Sequence, residues 1–183
     1  MTILYIILGV LILYVLFTYN SFIRLRNQVV NSFSGIDVQL KRRNDLVPNL
    51  IGVVKGYAKH EKSLFESIAK TRSALSSALE KQDLQKVSKD DAVLSSSLKS
   101  VLAVAENYPA LKANENFLDL QKKIARIENQ IAAARRIYNA NVTIFNTKLE
   151  LFPNNIFNKL AKFSQFELYS LEDGQKQVKK FEH

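Results

Sequence analysis

The sequence predicts an all-α protein, with an N-terminal transmembrane helix continuing into an antiparallel bundle of about four long helices. Three observations carry this. Residues Ile3 to Phe17 form an unbroken apolar run. Apolar residues beyond it recur at helical spacing, and no stretch keeps the alternation of a strand. Gly (5) and Pro (3) are scarce, which leaves few places to turn.

The run "ILYIILGVLILYVLF" carries no charge. Extended to Tyr19 it spans about 25 Å of helix, slightly short of a hydrocarbon core of about 30 Å. Tyr19 and Phe22 stand where an aromatic belt belongs, and Arg24 and Arg26 follow at once, so these four are the candidate membrane-interface residues. A cleavable signal peptide needs a basic leader and a small-residue cleavage site, and neither is seen. The expectation is therefore an uncleaved signal-anchor over residues 1–23. Lys and Arg flank it only downstream, which predicts an external N-terminus and a cytoplasmic body in the cell membrane.

The first stripe is Phe22, Leu25, Val29, Phe33, Ile36 and Leu40. It predicts a helix running from the anchor to about Asn44. Asn44 or Asp45 would cap a second helix with Pro48 in its first turn. That helix would carry Leu46, Leu50, Val53, Tyr57, Leu64, Ile68, Leu75 and Leu79. Gly52 and Gly56 on it predict close approach of a neighbour. "KQDLQKVSKDD" (81–91) reads as a polar connection, with Asp90 and Asp91 solvated. A shorter helix with Leu94, Leu98, Val101, Leu102 and Ala105 inward stops at "NYP". Phe117, Ile124, Ile131, Tyr138, Phe145 and Phe152 then recur every seven residues, with Leu120, Ile127 and Ala134 as companions. Asn141 and Lys148 break the companion row, which suits a bundle better than a long coiled coil. Pro153 ends this helix. The apolar residues that follow, Ile156 to Tyr169, predict a segment folded back on the bundle or meeting a partner. Residues 24–170 thus make the bundle and 171–183 a polar tail.

Chemistry is sparse. Absence of cysteine excludes disulfides, thiolate metal sites and cysteine nucleophiles. His60-Glu61 starts a zinc-protease motif, but Leu64 stands where the second histidine belongs. No glycine-rich phosphate loop exists, and "VLSSSLKS" has no histidine base near it. No enzyme, cofactor, metal or small-molecule substrate is expected.

The charge is +9, and the span from Arg24 to Lys62 holds eight cations against three anions. Such a balance attracts anionic partners. Lys41, Arg42 and Arg43, followed by Asp45, crowd the expected end of the first helix, where the dipole favours cations by about 0.3–1 kcal/mol. That effect does not require three in a row, so these four residues are the candidate partner contact. A continuous helix would hold them roughly 25–30 Å farther from the bilayer than Arg24, which argues for a protein partner or self-association over lipid. A peripheral bundle binding anionic lipid or nucleic acid is the alternative, and a hydrolase the remotest one. Nucleic acid is disfavoured because Tyr57 is the only aromatic between Lys41 and Lys62.

Four segments, "IDVQLKRRNDLVPNL", "VKGYAKHE", "NYPALKANENFLDLQ" and "ARRIYNANVTIFNTKLELFP", are similar in content and order to the LemA family of bacterial membrane-anchored proteins. The resemblance implies a transmembrane N-terminus, a bundle of long helices, no catalytic residues, and a role beside membrane proteases in envelope stress.

Overall fold

Helix α1 (Thr2–Lys55) runs straight through the proline expected to divide it. The structure, a computed structural model, describes residues 1–170, and the polar tail expected over 171–183 lies outside them. Five further helices follow: α2 (Lys62–Glu80), α3 (Leu84–Ala105), α4 (Pro109–Lys112), α5 (Glu115–Glu150) and α6 (Asn154–Ala161). Four are long, and no strand occurs among the described residues.

Pro48 has no N–H, so the Asn44 carbonyl one turn earlier loses its helical partner. Arg72 Nε donates to that carbonyl at 3.0 Å. Asn44 Nδ2 donates to Ser76 Oγ at 2.7 Å. Arg72 and Ser76 stand one turn apart on α2, so α2 repairs the ladder that the proline breaks. This corrects the expected helix boundary at Asn44. The break falls instead at residues 56–61, where Gly56 has poor helix propensity. Ala58 is fully buried in this turn, whereas Tyr57, expected in the core, is exposed and accepts a hydrogen bond from Asn114. Nothing packs closely on Gly52, and a Cβ on Gly56 would meet only the Val53 carbonyl, so the expected close approach is absent.

The connection expected over 81–91 shrinks to three residues. Gln82 takes a left-handed turn (φ 53°), and the Asp83 carboxylate caps α3 by accepting from Lys86 N at 3.1 Å. Val87, Ser88, Asp91, Leu94, Leu98, Val101 and Ala105 are its buried face. Asp91 is therefore interior, not solvated. Pro109 opens α4 as the "NYP" stop requires, and Asn114 Oδ1 caps α5 through Phe117 N.

The seven-residue row on α5 is buried from Phe117 to Phe145, but Phe152 lies past the helix end and is 78% exposed. The companion row moves from Leu120 and Ile127 to Val142 and Leu149. An α-helix drifts by about 20° per heptad from a 3.5-residue repeat, so over this length the stripe must change register.

The chain divides into two units. One comprises Met1–Ile36 with Ala133–Leu168. In it, Phe22 meets Phe145, Gln28 meets Asn141, and Phe33 meets Tyr138, so α1 and α5 run antiparallel. Residues beyond α6 lie extended on these helices. Asn146 clamps Phe166 through both its N–H (3.0 Å) and its carbonyl (2.8 Å). Tyr138 Oη donates to the Glu167 carbonyl at 3.0 Å.

The other unit comprises Asp37–Ala132 with Tyr169 and Ser170. Here the last third of α1, α2, α3 and the first half of α5 enclose Leu40, Leu50, Ile68, Leu75, Leu94 and Ile131, all fully buried.

Candidate functional site

Lys41, Arg42 and Arg43 are consecutive on a helix, so their side chains leave it about 100° apart. They cannot form one surface, and they do not. Lys41 faces solvent and pairs with Asp37 one turn back at 2.9 Å. Arg43 points inward and is completely buried. Arg42 takes a third direction, into a cleft between α1 and α5.

Arg43 organises a buried polar cluster. Its Nη2 donates to Asp91 Oδ1 at 2.6 Å. Its Nη1 donates to Ser95 Oγ at 2.7 Å and Glu128 Oε1 at 2.8 Å. Tyr169 Oη donates to the other Asp91 oxygen at 2.7 Å. The Arg43 and Asp91 side chains are wholly buried, while Glu128 is 32% exposed. One cation against two carboxylates works here because Glu128 keeps contact with water. The cluster joins α1, α3 and α5 through one guanidinium, the side chain best suited to several planar contacts. Arg43 is thus a structural residue, and its expected role as a surface contact is corrected by its burial.

The cleft beside it, about 420 Å³, is lined by Arg42, Asp45, Leu46, Lys123, Arg126, Ile127 and Gln130. Three cations face one carboxylate, and Lys123 also pairs with Asp119 at 2.7 Å. Leu46 and Ile127 supply an apolar contribution. Such a surface fits a carboxylate-bearing segment with an apolar residue beside it. A second basic cleft of about 380 Å³ is lined by Lys55, Lys59, Lys62, Phe65, Glu66 and Ala69. The Lys55 ammonium stands 5.7 Å from the Phe65 ring centre.

The candidate interface residues also separate. Arg24 and Arg26 are exposed, and Tyr19 is half-exposed with its ring 6.1 Å from that of Phe163. Phe22 is wholly buried, covered by Phe145, Phe157 and Phe163 at 5.2–6.1 Å. Its expected place at the lipid surface is corrected: the returning tail encloses it. Lys148 donates to Ser21 and lies over the Phe22 ring at 5.4 Å. Burial lowers its pKa, helped by nearby Arg24.

Among the described residues no group of three metal-ligating side chains occurs. His60 and Glu61 sit in the turn before α2. Ser97 and Ser100 donate to carbonyls one turn back in their own helix. Asp90 has a raised pKa, chiefly from burial with a smaller push from the Asp83 charge, partly offset by Lys89 and Lys86. The Asp83 pKa is lowered, chiefly by the backbone hydrogen bond from Lys86.

The sequence profile of the LemA family matches residues 32–182. The chain belongs to the LemA family. It is 31% identical over 140 residues to Protein LemA of Metamycoplasma hominis, covering 74% of this chain and 61% of that protein. It is 23% identical over 177 residues to magnetosome protein MamQ 1 of Paramagnetospirillum magneticum, and 20% identical over 177 residues to MamQ of Magnetospirillum gryphiswaldense. Each of those alignments covers 84% of this chain and 65% of the relative. The chain thus matches under two thirds of the length of these relatives. The LemA match takes in α1 from residue 32, the Arg43 cluster, the cleft and the returning tail. Upstream, α1 holds the one segment among the described residues long and apolar enough to cross a membrane, and that segment is almost wholly exposed. Together these findings support a LemA-type, membrane-associated helical protein.

Proposed function

We propose that this LemA-family chain is a single-pass membrane protein that acts by binding, as a non-enzymatic scaffold or a companion of membrane proteases. Residues 1–23 form the anchor and residues 24–170 the binding body. Arg24 and Arg26 lie at the cytoplasmic face with Tyr19, leaving the N-terminus outside. The partner contact is the cleft of Arg42, Asp45, Lys123 and Arg126; Lys41, paired with Asp37, lies outside it. The occupant is an acidic segment of another membrane protein or of a second copy.

One observation carries this reading. A single unbroken helix bears both the exposed apolar run and the basic wall of the cleft. In water, the exposed apolar run Ile3–Phe17 would aggregate; in lipid it is the natural surface. The basic residues near Arg43 are occupied in different ways: Arg43 holds three helices together, and Arg42 is left facing outward.

Alkaline carbonate extraction of native membranes tests the anchor. The full chain should stay in the pellet, and a chain lacking residues 1–23 should move to the supernatant. Release of the full chain would contradict the reading.

A further inference from the structure

Helix α6 stands beside the end of the apolar run of α1. Tyr14 Oη donates to Asn154 Oδ1 at 3.2 Å. The rings of Phe157 and Phe163 stack on Phe22 at 6.0 and 5.2 Å. One face of α6 is thereby fixed against α1. The opposite face is apolar and uncovered. Ile156 and Leu160 stand one turn apart on it and are 55% and 83% exposed, and Phe152, just before the helix, is 78% exposed. Leu151 beside them is 55% exposed.

An eight-residue helix has too few turns to hold itself in water. This one is held through Phe157, yet it presents Ile156 and Leu160 outward. Exposed apolar side chains clustered in this way mark a contact surface. The flanking charges fit one occupant. Lys159 and Lys162 are the charged residues between Leu151 and Lys162, and the stretch has no carboxylate. Cations beside an apolar face suit an anionic bilayer interface. The location fits as well. The apolar run Ile3–Tyr19 reaches about 25 Å, against a core of about 30 Å, and α6 lies at the end where the run falls short.

We propose that residues 151–162 form a second membrane contact. Phe152, Ile156 and Leu160 enter the headgroup–acyl boundary beside the anchor, and Lys159 and Lys162 reach the headgroups. This rests on the reading of α1 as a membrane anchor. The segment works as a wedge: it completes the short span and ties the returning tail to the bilayer.

The chain has no cysteine, so single-cysteine probes are clean. Full-length Ile156→Cys, Leu160→Cys, Leu8→Cys and Lys122→Cys variants are labelled with an environment-sensitive fluorophore. They are reconstituted in phosphatidylethanolamine–phosphatidylglycerol vesicles, and helicity is checked by circular dichroism. Brominated phosphatidylcholine should quench the probes at 156 and 160, and aqueous iodide should not. The probe at 8 should behave likewise, and the probe at 122 should be quenched by iodide. With the probe at 8 lipid-quenched, iodide quenching at both 156 and 160 overturns the wedge alone. Shielding of both from iodide and from lipid overturns it in favour of a protein contact. Iodide quenching at 8 overturns the anchor and the wedge together. The two positions are independent, so a folding defect in one leaves the other to decide.

Discussion

Arg43 and Asp91 form a fully buried ion pair, with Nη2 and Oδ1 2.6 Å apart. The pair lies on facing positions of α1 and α3. Its charge is closed by Glu128 and by the Tyr169 hydroxyl. Removing one member of such a pair strands the other without water.

Arg43→Ala should therefore destabilise the protein by about 3–5 kcal/mol, the usual cost of an uncompensated buried charge. Replacing the cluster together, as Arg43→Met with Asp91→Leu and Glu128→Gln, should recover much of that loss. Chemical denaturation of the full chain in detergent measures both. An equal loss in the single and triple variants would show that the charge is not the cause.

Arg72 should matter because of Pro48. Arg72→Met leaves the Asn44 carbonyl buried and unpaired, at a cost of about 1–3 kcal/mol. In a Pro48→Ala background the restored backbone N–H takes that carbonyl, and Arg72→Met should then cost less. A double-mutant cycle on thermal unfolding reads the coupling directly. Additive effects would refute the link.

The acid limb of stability should depend on Asp83. Its folded pKa lies below the unfolded value of 3.8, because the carboxylate accepts from Lys86 N. A depressed carboxylate contributes stability that is present above pH 3.8 and lost as pH falls through the folded pKa. Asp83→Asn should lower the melting temperature at neutral pH and narrow the difference from wild type toward low pH. A constant difference across that window would count against the cap.

Asn146 should control the returning tail. It both donates to and accepts from the Phe166 backbone. Asn146→Ala removes both bonds, so amide exchange over residues 163–168 should quicken while α5 itself stays protected. Unchanged exchange would mean that the aromatic cluster alone holds the tail.

Much of this was legible in the amino acids. The apolar run, the heptad row on α5 and the stop at Pro109 each state their structure locally. Pro48 misled because its repair comes from Arg72, 24 residues away, and no local rule reaches that far. The buried cluster did leave a signal. Arg43 continues the row Ile36, Leu40, Val47 and Leu50. Asp91 falls between Val87 and Leu94, and Glu128 between Ile124 and Ile131. A charge on an apolar stripe, matched by opposite charges on two other stripes, is the mark of a buried ion cluster. The run of three cations masks it, because adjacent residues on a helix face different surroundings. The tail announced its burial through its phenylalanines, but its partners Asn146 and Tyr138 are ordinary helix residues without a motif.

The most direct test of the binding role is crosslinked recovery of the full chain from native membranes, wild type beside Arg42→Glu/Arg126→Glu. Both side chains line the cleft, and neither belongs to the buried cluster. The expected result is loss of the co-purified partner with unchanged helicity and membrane residence. Recovery of the same partner in undiminished amount would contradict the cleft as the binding surface.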